Sequence, residues 1–395
     1  MPRNTTLLKI IKNAETYTPE YVGKKDVLIT AEKIGSIQDS ISLGKNVEVD
    51  ILHAKGNILV PGFIDSHVHI LGGGGEGSYK TRTPEIMLSD ITLGGVTTVI
   101  GCLGTDGTTR TMSNLIAKAR ALEEEGVTCY LYTGSYQVPV RTLTGSIQDD
   151  MILIDKIIGV GEIALSDHRS SQPTIEEISK IAAAARVGGM LSGKAGVVNV
   201  HIGDGARKLS LLEEIVRTTE IPITQFIPTH VGRNPGVFES AMAYARKGGL
   251  IDITTSTTSD FSNKKNVTSS ELLKTLLENK IPIENITFSS DGQGSLPEFD
   301  EKGKFLGLGV GKVASLFHEV RNAVVNEYIP LETALKVITS NPARNLKLQN
   351  KGQIQIGKDA DLVLLDHDLN IDTVIAKGLI MIHNKEVLVK GTFEK

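Results

Sequence analysis

The feature that most constrains the fold of this chain is an alternation of short, apolar, β-branched runs with segments of helical periodicity. Eight such runs occupy the middle of the chain, and helix-patterned segments lie between them. This alternation favours an α/β protein with a parallel sheet, and eight repeats indicate a (β/α)8 barrel of the TIM type rather than a doubly wound sheet. The predicted strands cover residues 58–64, 96–103, 127–133, 159–165, 196–202, 223–228, 250–254 and 285–290.

Segments between and after these strands have the apolar spacing of amphipathic helices. The predicted helices cover residues 110–125, 175–187, 208–219, 237–246, 269–279, 310–324 and 331–338. After the last of them, the pair Asn341-Pro342 is predicted to break the helical pattern.

Both ends of the chain consist of short β-branched runs separated by turn pairs. We expect residues 1–58 and 345–395 to form one small β-sandwich domain, with the barrel, residues 59–344, inserted between its halves. Two separate β-caps are the less favoured alternative, because each alone would be small for an independent core.

Two histidines spaced by one residue, His67 and His69, follow the first predicted barrel strand. Side chains alternate along a strand, so both imidazoles leave it from the same face. Imidazoles that converge on one point suit a divalent metal such as zinc, with bonds of about 2.0–2.1 Å. Taken alone, the pair could equally be two polar residues on a half-exposed strand.

Further ionisable residues fall at or near the carboxyl ends of other predicted strands, where the reactive groups of such barrels lie. Four of the nine histidines in the chain have this placement. A random scatter would seldom produce it, so the sequence predicts a metal site. The candidate ligands are His67, His69, Glu162, His201, His230 and Asp291.

Composition limits the partners and the compartment. The net charge of −4 offers no basic surface for nucleic acid. No apolar run approaches the ~20 residues of a membrane span, and the patch at residues 7–11 is too short for a signal peptide. With only Cys102 and Cys129 there is no disulfide framework, so we expect a cytoplasmic protein with two buried, inert thiols.

These residues together resemble the amidohydrolase superfamily and, within it, the isoaspartyl (β-aspartyl) dipeptidase family. The superfamily pattern is His-x-His on strand one, a carboxylate on strand four, single histidines on strands five and six, and Asp on strand eight. The narrower resemblance extends over essentially the whole chain. It is carried by residues 72–76 (GGGGE), 104–106 (GTD), 133–136 (TGSY), 166–169 (SDHR), 229–234 (THVGRN) and 289–295 (SSDGQGS).

The chain departs from the family at the bridging ligand. Isoaspartyl dipeptidases usually bridge two zinc ions with a CO₂-modified lysine, whereas the matching position here, four residues before Ser166, is Glu162. Glutamate supplies the carboxylate without CO₂, but its stem is shorter. The strand must therefore lie closer to the metals, or the bridge will be looser. A carboxylate is rarely buried on a barrel strand without a partner, so we expect Glu162 to be a ligand.

The resemblance implies hydrolysis of the isopeptide bond of β-aspartyl dipeptides by a hydroxide that bridges two zinc ions. It assigns His67, His69 and Asp291 to one ion and His201 and His230 to the other, with Glu162 between them. Asp291 is then expected to act as general base and afterwards as general acid. Tyr136 is expected to donate a hydrogen bond to the developing oxyanion.

An isoaspartyl dipeptide carries one ammonium and two carboxylates, so its site needs an anion and at least two cations. Glu76 is expected to bind the ammonium, and Arg169 and Arg233 the carboxylates, in an order that the sequence does not fix. Further expected contacts are Thr105, Ser295 and the backbone of Gly74. The family also suggests a homo-oligomer, such as an octamer.

Two alternatives remain open at this point. A cyclic-amide hydrolase of the dihydroorotase or hydantoinase type could use the same metal frame, although the two arginines and Glu76 suit a zwitterionic dipeptide better. A non-enzymatic scaffold with a decayed site is the other alternative. It is disfavoured because His67, His69, His201, His230 and Asp291 are all present.

Overall fold

A computed structural model describes residues 6–256, 267–299 and 305–395. Strands and helices alternate through the middle of the chain, and strands predominate at both ends. The strands are β1 (Leu8–Tyr17), β2 (Tyr21–Thr30), β3 (Lys33–Gln38), β4 (Asp50–His53), β5 (Ile58–Pro61), β6 (Phe63–Val68), β7 (Val96–Gly101), β8 (Thr128–Thr133), β9 (Ile157–Leu165), β10 (Val197–Ile202), β11 (Phe226–Thr229), β12 (Ile251–Thr254), β13 (Ile286–Ser289), β14 (Ser295–Phe299), β15 (Phe305–Val310), β16 (Leu362–Leu365), β17 (Ile371–Ala376), β18 (Leu379–His383) and β19 (Glu386–Val387). The α-helices are α1 (Leu88–Thr92), α2 (Met112–Glu125), α3 (Ile147–Leu153), α4 (Ile175–Ser192), α5 (Ser210–Thr218), α6 (Pro235–Arg246), α7 (Ser269–Glu278), α8 (Ser315–Val325), α9 (Leu331–Lys336) and α10 (Ser340–Asn345).

The two ends of the chain meet in one sheet of nine strands. Its order is β19-β18-β17-β16-β5-β1-β2-β3, and β4 pairs with β1. The ends join where β5 runs antiparallel to β16, with Val60 opposite Val363. Val27, Ile29 and Leu362 belong to an apolar core that both ends share. The separate β-sandwich with the limits given above stays a prediction.

The predicted strand 58–64 is divided at Gly62. Its first part, β5, pairs in the terminal sheet, whereas β6 begins the parallel sheet. Pro61 has no N–H for further pairing, and a side chain at Gly62 would overlap Thr97. The continuous apolar run hides this change of sheet, because most residues on both sides of Gly62 are buried.

The parallel strands β6 to β11 are neighbours in chain order, and β12 pairs in parallel with β13. All eight lie within or overlap the predicted barrel strands. The N–H of Asp291 donates to the carbonyl of His67 at 3.1 Å, and the N–H of His69 donates to that of Gly292 at 2.9 Å. These bonds bring the carboxyl ends of the first and last strands together, as a (β/α)8 barrel does.

Two helix predictions need correction. The predicted helix 310–324 begins only at Ser315, because Val310 ends β15, which pairs with β14, and residues 311–314 connect that strand to the helix. The pair Asn341-Pro342 does not break the helical pattern but lies in the first turn of α10. Proline is tolerated there, since the first N–H groups of a helix have no partner within the helix.

The other predicted helices overlap those observed, with ends that differ by a few residues. On α2, the predicted apolar face of Leu115, Ala119 and Leu122 is buried. Across the described residues, none of the helices combines the length and the apolar character that a membrane crossing requires.

Candidate metal centre

Six buried side chains at the carboxyl ends of the parallel strands converge in one place. They are the predicted metal ligands, and each is exposed by 5% or less. Together with the sulfur of Cys102, their ligand atoms form overlapping groups, and the atoms of each group lie within 4.8 Å of one another. The groups are His67, His69, Cys102 and Glu162; His67, His230 and Asp291; and Glu162, His201 and His230.

The Glu162 carboxylate lies in the middle of this cluster. Its Oε2 is 3.4 Å from Nε2 of His67, 3.3 Å from Nδ1 of His201 and 3.5 Å from Nε2 of His230. Its Oε1 is 3.4 Å from Nε2 of His69. The Glu162 carboxylate therefore contacts all four imidazoles among the predicted metal ligands.

A β-bulge directs Glu162 toward the imidazoles. The register between β9 and β10 slips by one residue between Val198 and Val200, so Gly161 and Glu162 together face Asn199. A bulge bends its strand and re-aims a side chain, and bulges are common beside active sites. This distortion offers a physical means by which the short glutamate stem reaches the cluster.

Asp291 approaches the cluster from the end of β13. Its Oδ1 lies 3.0 Å from Nε2 of His69 and 3.7 Å from Nε2 of His67. Its Oδ2 lies 3.6 Å from Nη2 of Arg233. Asp291 therefore connects two predicted metal ligands to a predicted substrate-binding arginine.

Three polar side chains outside the predicted set contact imidazoles of the predicted ligands. The contacts are Asn199 Oδ1 to Nδ1 of His67 at 3.2 Å, Thr254 Oγ1 to Nδ1 of His230 at 2.5 Å, and Asp167 Oδ2 to Nε2 of His201 at 3.0 Å. Such partners orient the ring and leave its other nitrogen for a metal. The sequence carries only weak signals for them: Asn199 lies two residues before His201 on one strand, and Asp167 lies within the SDHR motif.

The donor atoms fit divalent metal ions. Within the described ranges, Nε2 of His67, Nε2 of His230 and Oε1 of Glu162 are buried without a hydrogen-bond partner. Buried polar atoms in that state are costly, and coordination of a cation removes the cost. Imidazole nitrogens and carboxylate oxygens are common zinc ligands.

Close packing of acids and bases shifts the pKa values of the cluster. Burial alone would raise the pKa of Glu162 and of Asp291, but the surrounding imidazoles lower both well below the usual range. For His67 and His69, burial alone would lower the pKa. Neighbouring acidic groups, Cys102 first among them, instead raise it well above the ordinary value.

Metal uptake by the metal-free protein is expected to release protons and to weaken as the pH falls. His67 and His69, with raised pKa values, hold protons near neutral pH and must lose them to bind a metal. Calorimetric titration at pH 7 in two buffers of different ionisation enthalpy measures the release. We expect at least about one proton per chain; a binding heat that does not depend on the buffer would contradict this.

The two cysteines have different surroundings, although both are free and buried as predicted. Burial raises the pKa of the Cys129 thiol strongly. At Cys102 the effect of burial is outweighed by His67 and His69, which lower the thiol pKa. Its Sγ lies 3.8 Å from Nδ1 of His69. The pKa shifts of the two thiols are therefore opposite in direction, and inertness stays a prediction for both.

Tyr136 and Arg169 border the cluster at His201. The Tyr136 hydroxyl lies 2.8 Å from Nδ1 of His201, and Nη2 of Arg169 lies 3.3 Å from its Nε2. The Arg169 guanidinium lies over the Tyr136 ring, 5.3 Å from its centroid. Burial and the charge of Glu162 raise the pKa of Tyr136 well above its usual value, so the phenol keeps its proton and can donate it in a hydrogen bond.

Three of the predicted substrate-binding residues are bonded to one another. Oε1 of Glu76 accepts from Thr105 Oγ1 at 2.7 Å and from Nη1 of Arg169 at 3.2 Å. Arg169 also donates to Asp167 through Nε at 2.9 Å and through Nη2 at 2.7 Å. A continuous series of polar contacts thus runs from Glu76 through Arg169 and Asp167 to His201.

The remaining predicted residues are placed as follows. Gly74 has φ +68°, and a Cβ on it would lie 2.8 Å from Cβ of Ser295, so these two residues are adjacent. Arg233 reaches Asp291 with 33% of its side chain exposed. Within the SDHR motif, His168 has 91% of its side chain exposed, whereas its neighbour Asp167 contacts His201.

A comparison with models of protein families assigns the chain to one family. The model of the amidohydrolase family matches residues 58–381, most of the chain. The chain therefore belongs to the amidohydrolase family and is a hydrolase of that superfamily. Amidohydrolase relatives have the TIM-barrel fold that the curled parallel sheet indicates.

Two crystal structures of β-aspartyl dipeptidase from Fervidobacterium islandicum AW-1 narrow this assignment. The one in complex with the β-Asp-Leu dipeptide is 49% identical with a TM-score of 0.90, and the match covers 97% of this chain and 98% of that chain. The other is 47% identical with a TM-score of 0.87, and the match covers 96% of this chain and 98% of that chain. Within the amidohydrolases, the chain belongs with the β-aspartyl dipeptidases.

Curated relatives are more distant. N-acetylglucosamine-6-phosphate deacetylase from Lysinibacillus sphaericus is 27% identical over 366 residues, 85% of this chain and 88% of the relative. Dihydroorotase from Staphylococcus epidermidis is 33% identical over 92 residues, which is 23% of this chain and 21% of the dihydroorotase. The match thus spans about a fifth of the dihydroorotase, and it favours the cyclic-amide alternative only weakly.

Proposed function

We propose that the protein is a metal-dependent dipeptidase that hydrolyses the isopeptide bond of β-aspartyl dipeptides. The observation that carries this proposal is the position of Tyr136, Arg169 and Arg233 around the buried ligand cluster. A substrate with two carboxylates needs two cations beside the reacting bond. The similar Fervidobacterium enzyme, crystallised with β-Asp-Leu, supports the same substrate class.

The metal proposed is zinc, with two ions per subunit. One position would be held by His67, His69 and Asp291 and the other by His201 and His230, with Glu162 between them. Such ions, when bound, polarise a carbonyl and lower the pKa of water from about 15.7 to about 7. The fit rests on the buried nitrogen and oxygen atoms, described above, that have no hydrogen-bond partner.

Asp291 is proposed to transfer the proton during hydrolysis. Its carboxylate stays ionised because neighbouring imidazoles lower its pKa. It can therefore accept a proton from the attacking water and return it to the leaving amine. Tyr136, which keeps its phenolic proton, is proposed to donate a hydrogen bond to the oxygen of the scissile carbonyl.

The charges of the side chains and the contacts that they already make indicate which substrate group each would bind. Arg169 is already held by Glu76 and Asp167, whereas Arg233 has the longer contact of 3.6 Å to Asp291. We assign the more available Arg233 to a substrate carboxylate and Arg169 to the other. Glu76 would bind the substrate ammonium. Thr105, Ser295 and the backbone of Gly74 are proposed as further hydrogen-bonding contacts.

The proposal is tested by steady-state assays on metal-replete protein with β-Asp-Leu, dihydroorotate and hydantoin. We expect turnover of the dipeptide and none of the two cyclic amides. Preferential hydrolysis of a cyclic amide would favour the alternative reaction on the same frame. Elemental analysis accompanies the assay, because about two zinc ions per chain are expected for the enzyme and none for a decayed scaffold.

Bicarbonate is expected to have no effect when metal is restored to the metal-free protein. Glu162 already provides the central carboxylate, so no lysine has to be carboxylated by CO₂. The measurement is recovered β-Asp-Leu activity with and without bicarbonate in CO₂-free buffer. Recovery that requires bicarbonate would mean that Glu162 is not the bridging ligand.

We propose further that the enzyme is cytoplasmic and, as its family suggests, a homo-oligomer, with an octamer as the form to look for. Sedimentation or light scattering of the full-length protein measures its mass directly. A monomer at micromolar concentration would contradict the oligomeric part of the proposal and leave the catalytic part unaffected.

A further inference from the structure

Cys102 directly follows β7, the second strand of the parallel sheet, at the carboxyl end where the metal cluster lies. Its side chain is completely buried. The sulfur belongs to the group of ligand atoms that it forms with His67, His69 and Glu162, all within 4.8 Å of one another. Neither the proposed two-metal arrangement nor the substrate contacts use this residue.

Two of the other atoms in this group lack a hydrogen-bond partner. Within the part of the chain that the structure describes, Nε2 of His67 and Oε1 of Glu162 are buried and make no hydrogen bond. Two hydrogen bonds of the thiol are long, at 3.7 Å to the carbonyl of Val68 and 3.8 Å to Nδ1 of His69. One zinc ion, with bonds of about 2.3 Å to sulfur and 2.0–2.1 Å to nitrogen, would draw the ligand atoms of this group together from separations of up to 4.8 Å.

We propose that Cys102 is a thiolate ligand of the metal position formed by His67, His69 and Glu162. This inference rests on the proposed metal-dependent function and deepens it. A thiolate is a soft ligand, so that position should favour zinc, cobalt or cadmium over manganese and magnesium. The thiol would lose its proton to solvent on metal binding, since the ligand is the thiolate.

Cys129 provides the matched control. It lies on β8, the neighbouring strand, and is equally buried and free. It belongs to none of the candidate metal groups found among the described residues. The chain has two cysteines, so a Cys129→Ser variant leaves Cys102 as its single thiol.

The test is the absorption spectrum of metal-free protein reconstituted with Co²⁺. Thiolate coordination gives an intense near-ultraviolet sulfur-to-cobalt charge-transfer band. We expect this band in the unchanged protein and at equal intensity in Cys129→Ser. It should disappear in Cys102→Ser, which should also bind Cd²⁺ at least about 100-fold more weakly. Manganese affinity should change far less.

The test does not require that the Cys102→Ser variant folds. In Cys129→Ser, Cys102 is the single thiol, so a band in that variant identifies its sulfur as the ligand. Protein that binds cobalt and hydrolyses β-Asp-Leu without a charge-transfer band overturns the thiolate proposal and leaves the proposed function intact. A band that disappears in Cys129→Ser also overturns it. Protein that binds no metal under any condition contradicts the proposed function itself.

Discussion

Replacing Glu162 by alanine is expected to lower the rate of β-Asp-Leu hydrolysis by more than about 1,000-fold. The carboxylate contacts four imidazoles of the cluster, at distances of 3.3 to 3.5 Å. Without this carboxylate the four imidazoles remain close together. The site then has less negative charge to balance the two proposed metal ions. Metal content, measured together with kcat, should fall from about two ions per chain to one or none.

Glu162→Gln is the matched variant, because it keeps the shape of the side chain and removes its charge. We expect it to resemble the alanine variant in metal content while its thermal unfolding stays close to that of the metal-free parent. If either variant retained two metals and near-normal kcat, Glu162 would not be the bridging ligand.

The position of the cluster could be predicted because strand ends are visible in the sequence. His67, His201, His230 and Asp291 each follow or end an apolar run, and in a parallel barrel such ends share one rim. The alternation of side chains along a strand then places His69 beside His67. These signals are local in the sequence, so they can be recognised without knowing how the strands pack.

Features that depend on packing between strands could not be predicted. The bulge opposite Asn199 is a matter of register between two strands, and neither sequence alone specifies it. The contact of Asp167 with His201 joins a loop to a different strand. Cys102 was expected to be inert because burial of a thiol is common, and only its neighbours distinguish it from Cys129.

The same limitation explains the errors in the fold. The run 58–64 is continuous in hydrophobicity, so its division at Gly62 depends on which partner strands are available on each side. Pro342 was taken as a helix breaker, but its effect depends on its position within the helix, and α10 begins just before it. Glycine and proline at these positions restrict the backbone dihedral angles, but they do not determine which strand the segment pairs with or where a helix begins.

The Asp291→Asn variant is expected to lower kcat for β-Asp-Leu by about 100- to 10,000-fold. An amide cannot take a proton from water at neutral pH, so the proposed base and acid steps both fail. Asp291 is also a proposed ligand, 3.0 Å from His69, so metal content must be measured on the same samples. A variant that retains its metal and loses kcat isolates the proton transfer.

Asp155→Asn is the matched control, because it makes the same chemical change at an exposed aspartate that contacts Arg120 at 3.3 Å and precedes the amino end of β9. It should leave kcat and metal content unchanged. If Asp291→Asn kept both full metal and full kcat, the proton would have to be transferred by another group. Tyr136 is not a substitute, because its raised pKa keeps it protonated and unable to act as the base. Retained activity would therefore count against this assignment of roles within the cluster, and not only against one residue.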